Sequence, residues 1–261
     1  MKLVTWNVNS LNARETLVAH YLDEAQPDVL CLQELKLPDE RVPRELFTER
    51  GYHVAVHGQL RWNGVLIASK QPLEDVHAGL PEGDEGQSRL IAASTFGLRV
   101  VNLYCPQGQS VDSDKFPYKL RFFEALNRWL RETCDPSAPL AVLGDINIAR
   151  EPEDIYDPEA FAGVPSFHPD EHAAFDALLA FGLQDAVKPF IEPGTYSFWD
   201  YRGAAFRYNK GMRIDHVLAS AALAERVSGG GVERDWRKKK EVGGEKLTAS
   251  DHAPVFVEIT L

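Results

Sequence analysis

Short apolar runs recur along this chain from end to end, and their spacing decides the fold class before any single residue is considered. The runs expected as strands are Lys2 to Asn7, Asp28 to Gln33, His53 to His57, Gly64 to Ser69, Arg89 to Thr95, Leu98 to Cys105, Leu140 to Leu143, Ile214 to Ser220 and Val255 to Thr260. Most are rich in Val, Ile or Leu and bounded by turn-forming residues. Between them lie stretches of helical period, clearest over Ala13 to Ala25, Phe116 to Cys134 and Asp170 to Phe181. Within the second, Phe116, Leu120, Phe123, Leu126 and Leu130 recur three and four apart and make one stripe for a core. The alternation predicts an α/β protein. Arg89 to Thr95 and Leu98 to Cys105 are joined around Gly97, far too tightly for a crossover helix, so antiparallel hairpins are expected and a purely parallel sheet is excluded. Nine strands crowd a single sheet. A four-layer α/β sandwich satisfies both observations: two mixed, mainly antiparallel β-sheets packed face to face with helices outside.

The 261 residues suit one domain, 1–261. Loops are expected over Gln71 to Gln87, Pro106 to Lys115, Ile148 to Phe167 and Gly229 to Lys246. No segment approaches the ~18 uninterrupted apolar residues of a membrane span, so no membrane partner is expected. Cys31, Cys105 and Cys134 are odd in number and widely spaced, which fits neither a disulfide framework nor a zinc module. They read as reduced and buried. The strand-like run from Lys2 leaves no room for a signal peptide, and the cytoplasm is the expected compartment. Net charge is −11, from 28 Lys+Arg against 39 Asp+Glu, which at first sight argues against a polyanionic partner.

The chemistry sits where the runs stop. Trp6-Asn7-Val8-Asn9 ends the first, Leu32-Gln33-Glu34 follows the second, and Tyr104-Cys105-Pro106-Gln107-Gly108 follows another. Gly144-Asp145-Ile146-Asn147 follows Leu140 to Leu143, Arg213-Ile214-Asp215-His216 opens a strand, and Ser250-Asp251-His252-Ala253-Pro254 precedes the last. Singly, each has an ordinary reading as a turn former, a helix cap or a solvated strand end. Converging on one rim, Glu34, Asp145, Asp215 and Asp251 would raise one another's pKa values and cost stability unless a cation joined them. All-oxygen ligands select a hard ion, so Mg²⁺ is expected, with Mn²⁺ as substitute; the single plausible His argues against zinc. A hard metal with a carboxylate base, Asn, Tyr and His serves phosphate-ester hydrolysis.

These pieces, with Leu32-Gln33-Glu34-Leu35-Lys36, Trp62-Asn63-Gly64-Val65, Phe198-Trp199-Asp200-Tyr201-Arg202 and Gly211-Met212-Arg213-Ile214-Asp215, resemble the exonuclease III family of Mg²⁺-dependent DNA-repair nucleases over essentially the whole chain. That family lies within the endonuclease/exonuclease/phosphatase fold shared with DNase I. The resemblance implies that Glu34 is the principal metal ligand, with Asn7 and Asp251 contributing. It implies that Asp145 deprotonates the attacking water held by Asn147, that the Asp215–His252 pair binds or protonates the scissile phosphate or serves as the base, and that Tyr104 supports the phosphate or leaving oxygen. Gln107, Arg202 and Arg213 are implied DNA contacts, and Trp199, Met212 and Ile214 an apolar pocket for a base-free sugar. The implied activity is hydrolysis 5′ to abasic sites in duplex DNA, with 3′–5′ exonuclease and 3′-phosphodiesterase or phosphatase action. The implied partner is double-stranded DNA with abasic sites or blocked 3′ ends, and the implied state a monomer.

One residue departs from the family pattern: in Ser166-Phe167-His168-Pro169-Asp170-Glu171, His168 stands where Leu is common. A larger polar side chain there narrows the pocket and favours a 3′-end-processing enzyme lacking abasic incision. An inositol-phosphate or phospholipid-headgroup phosphatase is the other reading within the fold, and its distinguishing pocket motif is not seen; a catalytically dead DNA-binding module is a third, against which stands the complete acidic and amide set. The charge objection is local in origin. Residues 202–240 hold ten Lys or Arg against four acids, a net of +6 that leaves −17 for the rest.

Overall fold

The computed structural model describes residues 1–238, 240–242 and 244–260. In chain order the elements are β1 (Lys2–Asn7), α1 (Leu11–Ala25), β2 (Val29–Gln33), α2 (Glu45–Thr48), β3 (His53–His57), β4 (Val65–Ser69), β5 (Glu74–Ala78), β6 (Leu90–Thr95), β7 (Leu98–Tyr104), α3 (Lys115–Thr133) and β8 (Leu140–Asp145). There follow α4 (Pro158–Phe161), α5 (Pro169–Ala180), β9 (Leu183–Asp185), β10 (Asp215–Ser220), α6 (Ala221–Ala224), β11 (Val227–Val232), β12 (Lys240–Val242), β13 (Glu245–Leu247) and β14 (Val255–Ile259). One six-stranded sheet runs β11-β14-β1-β2-β4-β3 and the other β5-β6-β7-β8-β10-β9. Only β1–β2 and β7–β8 are parallel among the described pairs. The expected mixed, mainly antiparallel pair of sheets is therefore the fold.

Strand alternation builds the four layers. Val29 and Cys31 of β2 point between the sheets with Leu3, Val65 and Ile67, where they meet Ile91, Ala93, Val100, Ala141, Leu143 and Val217 of the second sheet. Their neighbours Leu30 and Leu32 point outward with Val4 and Trp6 onto Leu17, Val18, Tyr21 and Leu22 of α1. On the other outer face, Leu90, Val101, Leu103 and Val142 pack under Phe122, Phe123, Leu126 and Trp129 of α3 and Phe175 and Leu178 of α5. Period 2 in the strands and period 3.6 in the helices thus share out one apolar set among three cores.

Four expectations are corrected, the first being the loop Ile148 to Phe167, which holds a 3₁₀ turn at Pro152–Asp154 and the helical turn α4. Gln71 to Gln87 is not all loop, because Glu74–Ala78 pairs with β6 across a bulge. Gly229 to Lys246 contains the end of β11, a 3₁₀ turn at Arg234–Arg237 and the β12–β13 hairpin. Gly229, Gly230 and Gly231 pair with Glu258, Val257 and Phe256 of β14, so the backbone ladder alone makes that strand and no apolar pattern announces it. The strand Leu183–Asp185 is too short for its pattern to be read in advance. Cys31 and Cys105 are buried, Cys134 is partly exposed, and all three are free thiols.

Gly144 couples fold to chemistry. It lies at φ +143, and a Cβ there would sit 1.9 Å from the Leu103 carbonyl oxygen in the adjoining strand, so only glycine lets β7 and β8 close up immediately before Asp145. Gly144→Ala is expected to destabilise the protein by more than ~3 kcal/mol, read as a fall in the urea midpoint; an unchanged midpoint would refute the close-approach argument.

Candidate active site

Both sheets deliver side chains to one end of the sandwich. On the second sheet Tyr104 pairs directly with Asp145, and Asp145 with Asp215, so three adjacent strands place Tyr104, Asp145 and Asp215 in a row on the face toward the first sheet. On the first sheet β1 ends at Asn7 beside Gln33, and the chain after each strand leaves through left-handed backbone: Asn9 at φ 46, Glu34 at φ 54 and Lys36 at φ 56. Asn147, just past β8, has φ 57. Such conformations in non-glycine residues cost energy and cluster at functional sites.

Hydrogen bonds join these ends into one network. Asn7 donates through Nδ2 to Glu34 Oε1 and to Asp145 Oδ2, each at 2.9 Å, bridging the sheets. Asn7 Oδ1 accepts from the Asn9 amide, and Asn9 Nδ2 donates to Asp251 Oδ1 at 3.0 Å. Lys36 Nζ lies 2.8 Å from Glu34 Oε2 and donates to Asn9 Oδ1 at 2.5 Å. The Asn147 amide donates to Asp145 Oδ1 at 3.0 Å, and its Nδ2 to the Cys105 carbonyl at 2.9 Å. His252 Nδ1 is 2.8 Å from Asp215 Oδ2, while its Nε2 lies 3.8 Å from Asp145 Oδ2. Ser197 Oγ donates to Asp215 Oδ2 at 2.6 Å. Ser250 Oγ donates to the Asn7 carbonyl at 2.7 Å, and Trp6 Nε1 to the His252 carbonyl at 3.1 Å.

Burial and like charge dominate the electrostatics. Desolvation, with Asp215 and Glu34 adding, pushes the Asp145 carboxyl up to about 7 against the pull of His252 and Asn7. Burial works against protonated His252, yet Asp215 and Asp145 outweigh it and raise the imidazole to about 10. Burial would also raise Glu34, but Lys36 and Asn7 hold it below the usual carboxylate range. Tyr104 is pushed well above its ordinary value by burial and by Glu34 and Asp145. Among the described residues, Asp145, Asp215 and His252 bring donor atoms within 4.8 Å of one another.

Against known proteins, residues 4–252 match the Endonuclease/Exonuclease/phosphatase family. The chain belongs to this family. It is 36% identical to exodeoxyribonuclease III of Haemophilus influenzae over 99% of both chains. Among solved structures it resembles a variant of the 3′ phosphatase NExo from Neisseria bound to product DNA hairpin, with TM-score 0.94 and 40% identity over 100% of both chains. It also resembles an AP endonuclease from Archaeoglobus fulgidus, with TM-score 0.93 and 35% identity over 100% of both chains. The protein is thus an exodeoxyribonuclease III/AP endonuclease-type phosphodiester hydrolase of a metal-dependent family.

The residues present fit a hard cation. Glu34, Asp145 and Asp251 offer carboxylate oxygens, while Asn7 turns its Nδ2 toward Glu34 and Asp145 and its Oδ1 toward the Asn9 amide. Beside His252 lies a cleft of about 510 Å³ lined by Tyr156, Phe161, Phe198, Met212, Arg202 and Lys210. The Phe198 ring is 4.9 Å from the His252 ring. Ile214 is buried beneath it with Ala149 and Ile155. Gln107 is exposed on the far side of Tyr104, beside Arg89, whose guanidinium lies 4.9 Å over the Tyr104 ring.

Two residues are not where the sequence suggested. Trp199 is fully buried with Tyr196, Ala205 and Ala253, and its neighbour Phe198 faces the cleft instead, because successive side chains there alternate in direction. Arg213 is 2% exposed and turns inward, with Nε 2.8 Å from Asp154 and Nη1 2.5 Å from Asp185. It is a buried brace for the strand carrying Asp215 and is not presented to DNA. Phe198, Asn9, Lys36, Ser197 and Arg89 are site residues the sequence left without a role, although the first three stood inside quoted motifs.

Burial would raise Asp154 and Asp185, yet Arg213, with His216, holds both below the usual carboxylate range. Depressed carboxylates contribute stability above their unfolded pKa near 4, and that contribution is lost as pH falls through the folded values. Arg213→Met takes the guanidinium from both carboxylates and leaves Asp154 only Lys188 at 3.4 Å and Asp185 only His216 at 3.3 Å, so it is expected to cost roughly 3 kcal/mol at pH 7. The deficit should shrink toward pH 4, where the stranded carboxylates protonate; denaturant titrations at the two pH values measure it. A pH-independent deficit would contradict the ion-pair account.

Proposed function

We propose that this protein is a Mg²⁺-dependent enzyme that processes the 3′ ends of duplex DNA, releasing 3′-phosphates and 3′-terminal nucleotides. The observation that carries the choice of substrate is His168. It follows Phe167, which packs against the apolar cluster beneath the cleft, and it is held rigidly: Nδ1 accepts from the Asp170 amide at 3.1 Å and the ring meets Phe116 edge-on at 4.8 Å. In this reading an imidazole at position 168, where Leu is common in the family pattern, disfavours an extrahelical sugar with strand continuing beyond it more than it does a terminal sugar. The 40% identity to a 3′ phosphatase supports the same reading. Abasic-site incision is the second reading, favoured by the largely apolar cleft beside His252 and by the likeness to the archaeal AP endonuclease.

In this reading Glu34 and Asp251, with Asn7 contributing directly or through water, would hold the ion, Mn²⁺ serving as a substitute, and it would supply charge stabilisation for the phosphate. Asp145, fixed by Asn7 and by the Asn147 amide, takes the proton of the attacking water; Asn147 orients that water. His252, charged against Asp215, donates to the phosphate rather than acting as base. Tyr104 supports the leaving oxygen. Gln107, Arg202, Met212 and Ile214 contribute to the DNA-binding rim and cleft.

Asp145→Asn keeps the shape and removes the proton acceptor, so turnover on a 3′-phosphate nick is expected to fall at least ~10³-fold. Near-native turnover would remove Asp145 from the role of base. EDTA should abolish activity and Mg²⁺ restore it. Side-by-side gel assays on a 3′-phosphate nick and on a duplex with one tetrahydrofuran site distinguish the two substrate readings. The native enzyme is expected to clear the first briskly and leave the second nearly intact, and His168→Leu to raise tetrahydrofuran incision at least ~10-fold. Equal rates on both substrates for the native enzyme would hand the assignment to abasic incision.

A further inference from the structure

Lys119 is the one lysine on the buried stripe of α3: it stands among Phe116, Phe122, Phe123 and Leu126 at 0% exposure, a position where the spacing calls for an apolar residue. Its counter-ion Glu171, on α5, is also 0% exposed, with Oε1 2.5 Å from Lys119 Nζ. An ammonium has three donors, and the other two contacts of Nζ are the carbonyls of Asn147 at 2.7 Å and Gln107 at 3.3 Å. The second carboxylate oxygen of Glu171 accepts from the His168 amide at 3.1 Å. One buried pair therefore ties two loops, the one after β8 with Asn147 and the one after β7 with Gln107, to the N-terminus of α5, where Glu171 closes a capping box with His168.

Stability does not explain such a pair. Replacing a buried ion pair with apolar residues of similar volume is commonly neutral or stabilising. The two carbonyls belong to residues flanking the reacting centre, and Asn147 is held at φ 57, a conformation that needs outside restraint. A methionine or leucine at 119 fills the space without reaching either carbonyl. We propose that Lys119 and Glu171 are positioning residues for phosphodiester hydrolysis, fixing the Asn147 and Gln107 loops against the N-terminus of α5, and that they set turnover rather than the persistence of the fold.

The proposal rests on the role assigned to Asn147, and the experiment separates the two. Steady-state hydrolysis of a 3′-phosphate nick with Mg²⁺ is compared for the native enzyme, Asn147→Ala, Lys119→Met and Lys119→Met/Glu171→Leu, each with its thermal midpoint. Lys119→Met alone strands a buried carboxylate and is expected to lose stability as well as activity. The double variant removes both charges and is expected to regain the native midpoint while kcat stays about 10²-fold low, with KM within about threefold. A folded double variant with kcat within about threefold of native overturns the positioning role. A double variant that cannot fold makes the pair a folding element and overturns it equally. Native kcat in Asn147→Ala instead defeats the role of Asn147, whatever the Lys119 variants do.

Discussion

The active end depends on two sheets being held in one register by buried amides in a largely apolar layer. Asn102 of β7 donates through Nδ2 to the carbonyls of Leu32 and Leu66 in the first sheet, each at 2.9 Å, and Gln33 Nε2 donates back to Asn102 Oδ1 at 2.7 Å and to Thr5 at 2.8 Å. Apolar contacts between sheets tolerate sliding, whereas a buried amide that loses its partner carries a desolvation penalty of about 1–3 kcal/mol. The bridge lies one residue below Glu34 and two below Tyr104. A displaced sheet would separate Asn7 from Asp145, the contact across which the carboxylate of one sheet meets the amide of the other.

Convergence of acids is the cost of that geometry. Glu34, Asp145, Asp215 and Asp251 cannot all ionise in a dry pocket without cations, and Lys36 and His252 supply two positive charges against four negative. Each cation is placed to settle one carboxylate and leave another reactive. Lys36 holds Glu34 ionised and ready for a metal, and His252 is committed to Asp215 through Nδ1 with its Nε2 turned toward Asp145. Asp145 is left as the carboxylate whose environment most favours accepting a proton. That split in environments is the physical ground for the acid and base roles proposed above, as it is for paired carboxylates elsewhere.

Much of this was legible because strand ends carry information that strand interiors do not. Alternation placed Asn7, Tyr104, Asp145, Asp215 and the residues before Val255 at strand termini, and acidity at most of them pointed to a cation. What remained hidden required knowing which way a side chain turns. Arg213 follows a motif glycine and precedes Asp215, yet its partners Asp154 and Asp185 are 59 and 28 residues away, so no local signal distinguishes an inward brace from a DNA contact. Phe198 and Trp199 are adjacent aromatics, and a one-residue change of register exchanges their environments. Half of β11 is glycine, so only its end valines Val227 and Val232 carry side chains to the core, too few for a pattern. Lys119 did leave a trace, a lysine on an apolar stripe, but its meaning needed two loops and a helix N-terminus distant in sequence.

The basic stretch 202–240 shows why a charge count is not a binding surface. Arg213 is neutralised inside. Arg234 lies 4.2 Å over the Phe206 ring and 5.4 Å over Trp199, and Arg237 lies 4.9 Å over Tyr201 while donating to the Trp199 carbonyl at 3.1 Å. These guanidiniums brace the Trp199–Phe206 loop against the rest of the protein, using stacking strength that a lysine would not supply. Arg202 and Lys210 are the members that reach the cleft, and Arg202 is itself paired with Asp200 at 2.7 Å. Arg89 and Lys115 line a second groove beside Gln107, so on a chain of net charge −11 any counterion release in the proposed DNA complex is confined to a few local patches. In the proposed reading, discrimination between DNA ends then rests on what fits the cleft beside His252 and the carboxylates at the strand ends rather than on the sum of charge.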